Sequence, residues 1–226
     1  MLQKYVFFLS LFLAVYCRGN VRTQRTPKPL EKIGMNMTAQ IYIYFNSSYA
    51  PDINAKSRSE DESANTTILP MFTKLFTKVQ ENFHNKSVMI NFTVNVTEEN
   101  DNIAVYFSAQ NISLNATGTL EKLLHLKSSL AKEPLSIVFY YTNYTLLKEE
   151  TRGDRIPHTV QYAATRNTFC TSSPSGAVVK HDPNSTGILN TVSALSEIFD
   201  VSFSRRRIHP LEHEQLKEKL KKCPAN

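Results

Sequence analysis

The chain has 226 residues, of which 41% are hydrophobic and 10% aromatic, and its formal net charge is +6. This composition excludes an intrinsically disordered chain and favours one globular domain with a sizeable core. The charge is spread along the sequence and falls to about +4 without Lys4 and Arg18, which excludes a nucleic-acid-binding footprint.

The first 19 residues have the pattern of a secretory signal peptide. Lys4 precedes an apolar run from Tyr5 to Tyr16, and the small residues Cys17 and Gly19 offer cleavage points. No later apolar run approaches the roughly 18 residues that span a bilayer, so we expect a secreted, extracellular protein with no membrane span. The predicted organisation is a leader (1–19), a short N-terminal segment (20–39) and a single domain (40–226).

Asparagine glycosylation motifs are the strongest compositional signal. Ten N-x-S/T sequons occur, at Asn36, Asn46, Asn65, Asn85, Asn91, Asn95, Asn111, Asn115, Asn143 and Asn184. In a secreted chain these motifs predict a heavily glycosylated surface.

Cleavage of the leader leaves two cysteines, Cys170 and Cys223. Two thiols in an oxidising compartment most simply form one disulfide, and no Cys/His arrangement suggests a catalytic thiol. The sequence therefore predicts a Cys170–Cys223 disulfide.

Hydrophobic periodicity predicts alternating strands and helices along the chain. Strand patterns cover 40–45, 88–97, 103–108, 135–141, 160–164 and 177–179, and helical patterns cover 69–83, 119–130 and 188–199, followed by a C-terminal helix. Within 88–97 the apolar side chains alternate with Asn91, Thr93, Asn95 and Thr97, which places these four residues on one face of the strand. The order predicts an α/β domain.

The stretch from Thr168 to Ser202 carries a resemblance to a known family. Its Phe-Cys-Thr segment, Val-Val strand, acidic loop and amphipathic helix resemble secreted reprolysin-like zinc proteases, members of the metzincins, and most closely those of tick saliva. Gln161 to Thr171 and Leu120 to Leu146 resemble the family's edge segment and its helix–strand unit. The resemblance implies a metzincin-like, mixed five-stranded sheet with long helices, one of which is the active-site helix.

The same resemblance implies that this helix has lost its zinc site. Active members bind zinc through two His residues at i and i+4 and use the intervening Glu as general base. Here Ala194 and Ile198 take the His positions and Leu195 the Glu position, while the later Gly and third His fall on Val201 and Ser204. Since these side chains neither donate a nitrogen lone pair nor accept a proton, we expect no cofactor, no zinc and no protease activity.

A second possible zinc motif lies near the end of the sequence. His209, Glu212 and His213 spell H-x-x-E-H, the inverted zinc-protease signature. Because Pro210 biases His209 out of helical geometry, we interpret His209 as the residue before a helix, and metal binding here as the minor alternative.

These patterns together predict an inactive metalloprotease-like domain, a salivary pseudoenzyme that binds a host extracellular protein. A basic cluster offers a glycosaminoglycan as another partner, although a solvated helix face and loop is the favoured interpretation. It comprises Arg205, Arg206, Arg207, Lys217, Lys219, Lys221 and Lys222. Two alternatives remain: an active reprolysin-type zinc endopeptidase with an atypical site, and a lipocalin-type or other salivary binding protein.

Overall fold

The computed structural model describes residues 30–49, 65–107, 112–148, 157–204 and 207–224. The predicted leader, the sequon at Asn111, and Arg205 and Arg206 lie outside the described residues. The strands are β1 (Thr38–Phe45), β2 (Asn91–Glu99), β3 (Ser113–Asn115), β4 (Ser136–Thr142), β5 (Thr145–Lys148), β6 (His158–Val160), β7 (Tyr162–Ala164), β8 (Gly176–Lys180), β9 (Phe203–Ser204) and β10 (Arg207–Ile208). The helices are α1 (Asn65–His84), α2 (Ala116–Leu126), α3 (Ser128–Ala131), α4 (Leu189–Phe199) and α5 (Pro210–Leu220), with two 3₁₀ turns at Ser47–Tyr49 and Asp101–Ile103.

A mixed sheet forms the centre of the domain. Its strand order is β2-β1-β4-β8-β7, in which the first four strands are mutually parallel and β7 runs antiparallel to β8. Smaller sheets join β3, β5 and β6, and pair β9 with β10. The predicted α/β class is confirmed. The lipocalin-type alternative is wrong, because this sheet is mostly parallel and packs against helices.

The two faces of the sheet build two hydrophobic cores. Every residue of β4 is buried, and its side chains alternate between them: Ile137, Phe139 and Tyr141 enter the larger core, whereas Val138 and Tyr140 enter the smaller one. Central parallel strands have this continuous apolar character because helices cover both sides.

The helices divide between these two cores. α1 inserts Phe72, Phe76 and Phe83 into the larger core, where α4 and α5 also pack. α2 and α3 cover the smaller core and contact β4, β7 and β8. The active-site helix implied by the resemblance is therefore α4, which packs beside β7 and β8.

Three element predictions differ from the structure. The strand predicted at 160–164 is divided into β6 and β7, which belong to different sheets. The strand predicted at 103–108 is reduced to an antiparallel bridge between Tyr106 and Leu114 of β3, because Ile103 ends a 3₁₀ turn and the Val105 N–H donates to the Thr119 hydroxyl. The helix predicted at 119–130 begins earlier, at Ala116, because the Asn115 side chain caps it by accepting from the Gly118 N–H. It breaks at Lys127 before the short α3.

The N-terminal segment is part of the folded body from residue 30 onward. Ile33 is 4% exposed and pairs with Val88, and Gly34 adopts φ +69°, where an added Cβ would lie 2.7 Å from Ile90. β1 also begins at Thr38, ahead of the predicted boundary at residue 40. Among the described residues, no helix is long and apolar enough to cross a membrane.

Candidate functional site

Helix α4 is amphipathic, and its buried face carries the residues aligned with two zinc-ligand His positions and the general-base Glu position. Ala194, Leu195 and Ile198 are each 0% exposed and belong to the larger hydrophobic core. They contact other apolar side chains and do not line the neighbouring cleft. The residues present here do not fit a zinc ion.

The end of α4 favours an alignment shifted by one residue. Asp200, the C-cap of the helix, adopts the left-handed conformation with φ 58° and ψ 47°. A glycine required after a helix normally occupies such a position, whereas Val201 is not among the positive-φ residues. The backbone therefore favours aligning the Gly of the family pattern with Asp200 over the predicted Val201.

The alignment shifted by one residue, called the corrected register below, changes the candidate ligands, but its residues also do not fit a zinc ion. Ser193 and Glu197 take the two helical His positions, Ala194 takes the Glu position, and Phe203 takes the third His position. One hydroxyl and one carboxylate are too few for a tetrahedral zinc site with three protein ligands. No cluster of three His, Cys, Asp or Glu side chains suited to a metal ion occurs within the described ranges.

The open face of α4 borders a cleft of about 590 Å³. Ser193 and Glu197 are half-buried there, and Leu189 is 74% exposed at the start of the helix. β7 contributes Tyr162 to the opposite wall, and α1 contributes Asn82 and Lys86. The cleft thus lies between the sheet edge and two helices.

The charges around the cleft are nearly balanced. Arg166 Nε donates to Asp200 Oδ1 at 3.0 Å. Burial lowers the pKa of Lys86, which also donates to Asn82 Oδ1. Burial, and secondarily the negative charge of Glu197, raises the pKa of Tyr162, so this phenol stays protonated at neutral pH. The walls offer hydrogen bonds and apolar contacts to a ligand without favouring one charge.

The H-x-x-E-H residues do not converge on a metal site. His209 is the N-cap residue of α5, with Pro210 following it, as predicted. Glu212 accepts a hydrogen bond from the Ser202 N–H at 2.9 Å, while His213 is 3% exposed within the fold. The helix geometry thus separates the three side chains.

Most described lysines of the basic cluster have partners on the protein itself. Lys217 lies 2.7 Å from Glu31, and Lys221 pairs with Glu218. Lys219 donates to Asn167 Oδ1, and burial lowers its pKa to about 8. This pairing favours a solvated helix face over a polyanion site.

The predicted disulfide is present. Cys170 and Cys223 are bonded, with a Cα–Cα distance of 5.0 Å across 53 positions of sequence. The bond joins the segment after β7 to the end of α5.

The sequons lie in different environments. Asn36, Asn85, Asn91, Asn95, Asn143 and Asn184 are exposed, and Asn115 is half-buried. Asn46, in contrast, is 0% exposed, and its Nδ2 donates to Ser48 Oγ at 2.7 Å. Because a glycan must attach to this nitrogen, the folded structure argues against glycosylation at Asn46.

A buried polar cluster that the sequence patterns do not indicate lies at the carboxyl ends of β1, β4 and β8. Tyr49 Oη lies 2.7 Å from His181 Nδ1, although the two residues are 132 positions apart. Tyr141 Oη lies 3.0 Å from Thr191 Oγ1, and its ring contacts the other two rings. Local sequence gives no signal for this cluster, because only the fold brings these residues together.

His181 gives the domain a predicted acid sensitivity. Burial lowers its pKa below the ordinary value of 6.5, so the unfolded chain binds the proton more tightly than the folded one. Its contribution to stability is therefore complete above pH 6.5 and declines as the pH falls below that value. Urea unfolding at several pH values should show this loss. His181→Asn keeps a polar group near Tyr49 without the titration, and an unchanged pH dependence in that variant would contradict the assignment.

Comparison with known proteins gives distant similarities. No family model matches the sequence, and no curated protein sequence matches it. Among solved structures, the chain is similar to an archaemetzincin from Methanopyrus kandleri, with 16% identity, a TM-score of 0.43, and coverage of 83% of this chain and 97% of that chain. It is also similar to part of a structure described as a chaperone–substrate complex, with 9% identity and a TM-score of 0.43. That match covers 73% of this chain, which spans only 23% of the other chain's length.

Proposed function

We propose that the chain is a secreted, glycosylated, non-catalytic domain of the metzincin type that binds a host extracellular protein. The observation that carries the proposal is the loss of zinc-site chemistry from α4 in either alignment. The first alignment places Ala194, Leu195 and Ile198 at these positions, and all three are fully buried in the larger core. The shifted alignment places Ser193, Ala194 and Glu197 there, which offer only one hydroxyl and one carboxylate. The leader pattern, the sequons and the Cys170–Cys223 disulfide support an extracellular setting. The tick-salivary origin rests on the sequence resemblance alone.

The cleft beside α4 is the proposed binding site, and its geometry suits an extended peptide. Among the described strands, β7 pairs with β8 alone, so we infer that its other backbone edge is available for strand addition. Tyr162, Ser193 and Glu197 lie where side chains of an added strand would reach. Backbone hydrogen bonds supply affinity in this arrangement, and the cleft walls select the side chains.

Filling the cleft tests this assignment. Ser193→Trp places a large ring on the open face of α4 and is expected to weaken peptide binding at least tenfold, a loss of about 1.4 kcal/mol. The matched control is Ser129→Trp on the exposed surface of α3. Peptides selected from a random library on the immobilised glycosylated protein provide the ligand, and titration calorimetry measures the affinities. Equal affinities for the two variants would contradict binding in the cleft.

Elemental analysis tests the non-catalytic assignment separately. We expect no stoichiometric zinc in the purified protein and no cleavage of a peptide library. About one zinc per chain with chelator-sensitive cleavage would instead establish the active endopeptidase.

A further inference from the structure

The starts of β1 and β2 are polar on the second face of the central sheet. α1 packs on the first face of β2, where Phe92 and Val94 join the larger core. On the second face, the smaller core reaches only the end of β1, where Lys127 lies over the Tyr44 ring and pairs with Glu98 of β2. Among the described residues, the second-face side chains of 38–40 and 91–95 belong to neither core. We call this surface the open half of the sheet.

The open half is polar and belongs to parallel strands. β1 contributes Thr38 and Gln40, which pair in register with Asn91 and Thr93 of β2. Asn91, Thr93 and Asn95 are exposed, whereas Thr38 and Gln40 are half-buried. Parallel strands normally have both faces covered, so an uncovered parallel pair calls for another kind of cover.

β2 is also an outer strand of the sheet and has partial protection of its own. Within the part of the chain that the structure describes, it pairs with β1 alone, and Gln80 of α1 accepts a hydrogen bond from the outward-facing Phe92 N–H at 2.8 Å. A register shift opposite Ile41 and Tyr42 makes Asn95 an extra residue in the strand. Bulges and capping side chains of this kind blunt edge strands, which otherwise template the pairing of another chain. The backbone between Phe92 and Asn95 lies between the Gln80 hydrogen bond and the bulge.

Both ends of this stretch carry a sequon with an exposed asparagine. Asn91 and Asn95 belong to N-F-T and N-V-T motifs and lie on the same face, about 13 Å apart along the strand. Asn95 Nδ2 donates to Gln40 Oε1 at 2.6 Å, which directs this amide across the open half toward β1. A glycosylated amide keeps one N–H, so the hydrogen bond persists after modification.

We propose that N-linked glycans on Asn91 and Asn95 are the missing cover of the open half, and that they keep the chain from associating through β2. The sugar chains occupy the exposed face that helices leave bare and hinder another strand from reaching the β2 edge. This role is independent of the cleft at the opposite edge of the sheet and requires only passage through a glycosylating secretory pathway.

The test compares two pairs of glycan removals in protein secreted from a glycosylating cell. Asn91→Gln/Asn95→Gln uncovers the open half, whereas Asn143→Gln/Asn184→Gln removes two exposed sequons elsewhere. Light scattering after size-exclusion chromatography should show the mass shifting from one chain to two or more for the first variant only. Adding Thr93→Lys to the first variant should restore the monomer, since a charge on an exposed edge strand opposes pairing.

Trimming the glycans of folded, purified protein provides a measurement that does not depend on variant folding. Trimmed wild-type protein should associate, while trimmed Thr93→Lys protein, which also lacks the Asn91 sequon, should remain monomeric. The proposal is overturned if mass mapping finds Asn91 and Asn95 unmodified, if neither pair of removals causes association, or if both pairs do so equally.

Discussion

Replacement of Cys223 with serine is expected to lower the free energy of unfolding by about 2–5 kcal/mol, the range for loss of a native disulfide. The bond with Cys170 closes a loop of 53 positions and fastens the end of α5 to the segment after β7. α5 is otherwise held by a few buried side chains, including Leu216 and Leu220, and by exposed polar contacts of Glu212, Lys217 and Lys219. Loss of the bond should therefore free this helix first. Chemical denaturation followed by circular dichroism measures the effect.

The double variant Cys170→Ser/Cys223→Ser distinguishes loss of the bond from damage at one site. Both variants lose the same bond. The free energy of unfolding of the double variant should therefore fall no more than about 0.5 kcal/mol below that of the single variant. Wild-type protein with two free thiols after secretion, or a single variant as stable as the wild type, would show that the bond does not hold α5 in place.

The sheet was predictable where hydrophobic pattern and burial agree. β4 and β8 are continuous apolar runs bounded by polar residues, and the structure buries them at the centre of the sheet. The predicted strand at 103–108 is only partly present. Tyr106 bridges Leu114 of β3, but Ile103 belongs to a 3₁₀ turn, and the Val105 N–H donates to the Thr119 hydroxyl. This side-chain contact across 14 positions leaves no trace in local periodicity.

The candidate site was predictable only in part. The amphipathic pattern of α4 located the helix, and the absence of His residues at the aligned positions was readable from the sequence. The face of α4 that opens to the cleft was not predictable, because a one-residue shift in the alignment rotates each aligned position by about 100° around the helix. The left-handed backbone conformation of Asp200 is the observation that favours the shifted alignment. Aspartate adopts this conformation more readily than most residues, but a sequence alignment does not show it.

The two registers predict opposite outcomes for engineered histidine pairs on α4. Ala194→His/Ile198→His follows the uncorrected alignment and puts two imidazoles into a core where both positions are 0% exposed. His at position 194 is too large for the packed core, His at position 198 removes apolar contacts, and both bury polar nitrogens without partners. We therefore expect the free energy of unfolding to fall by at least about 4 kcal/mol. Adding zinc should not restore it. Thermal unfolding of the secreted protein measures both effects.

Ser193→His/Glu197→His follows the corrected register and is expected to preserve the fold while creating a two-imidazole zinc site. Both positions lie on the half-buried face that borders the cleft, one helical turn apart, which is the spacing at which two His side chains bind one ion. The midpoint of thermal unfolding should then rise with zinc concentration, because the ion binds the folded state and not the separated ligands of the unfolded chain. Ser193→His alone is the control and should show little zinc dependence. If the Ala194/Ile198 pair instead folds and gains stability from zinc while the Ser193/Glu197 pair does not, the buried face of α4 opens toward the cleft in solution, and the packing argument against a zinc site fails with it.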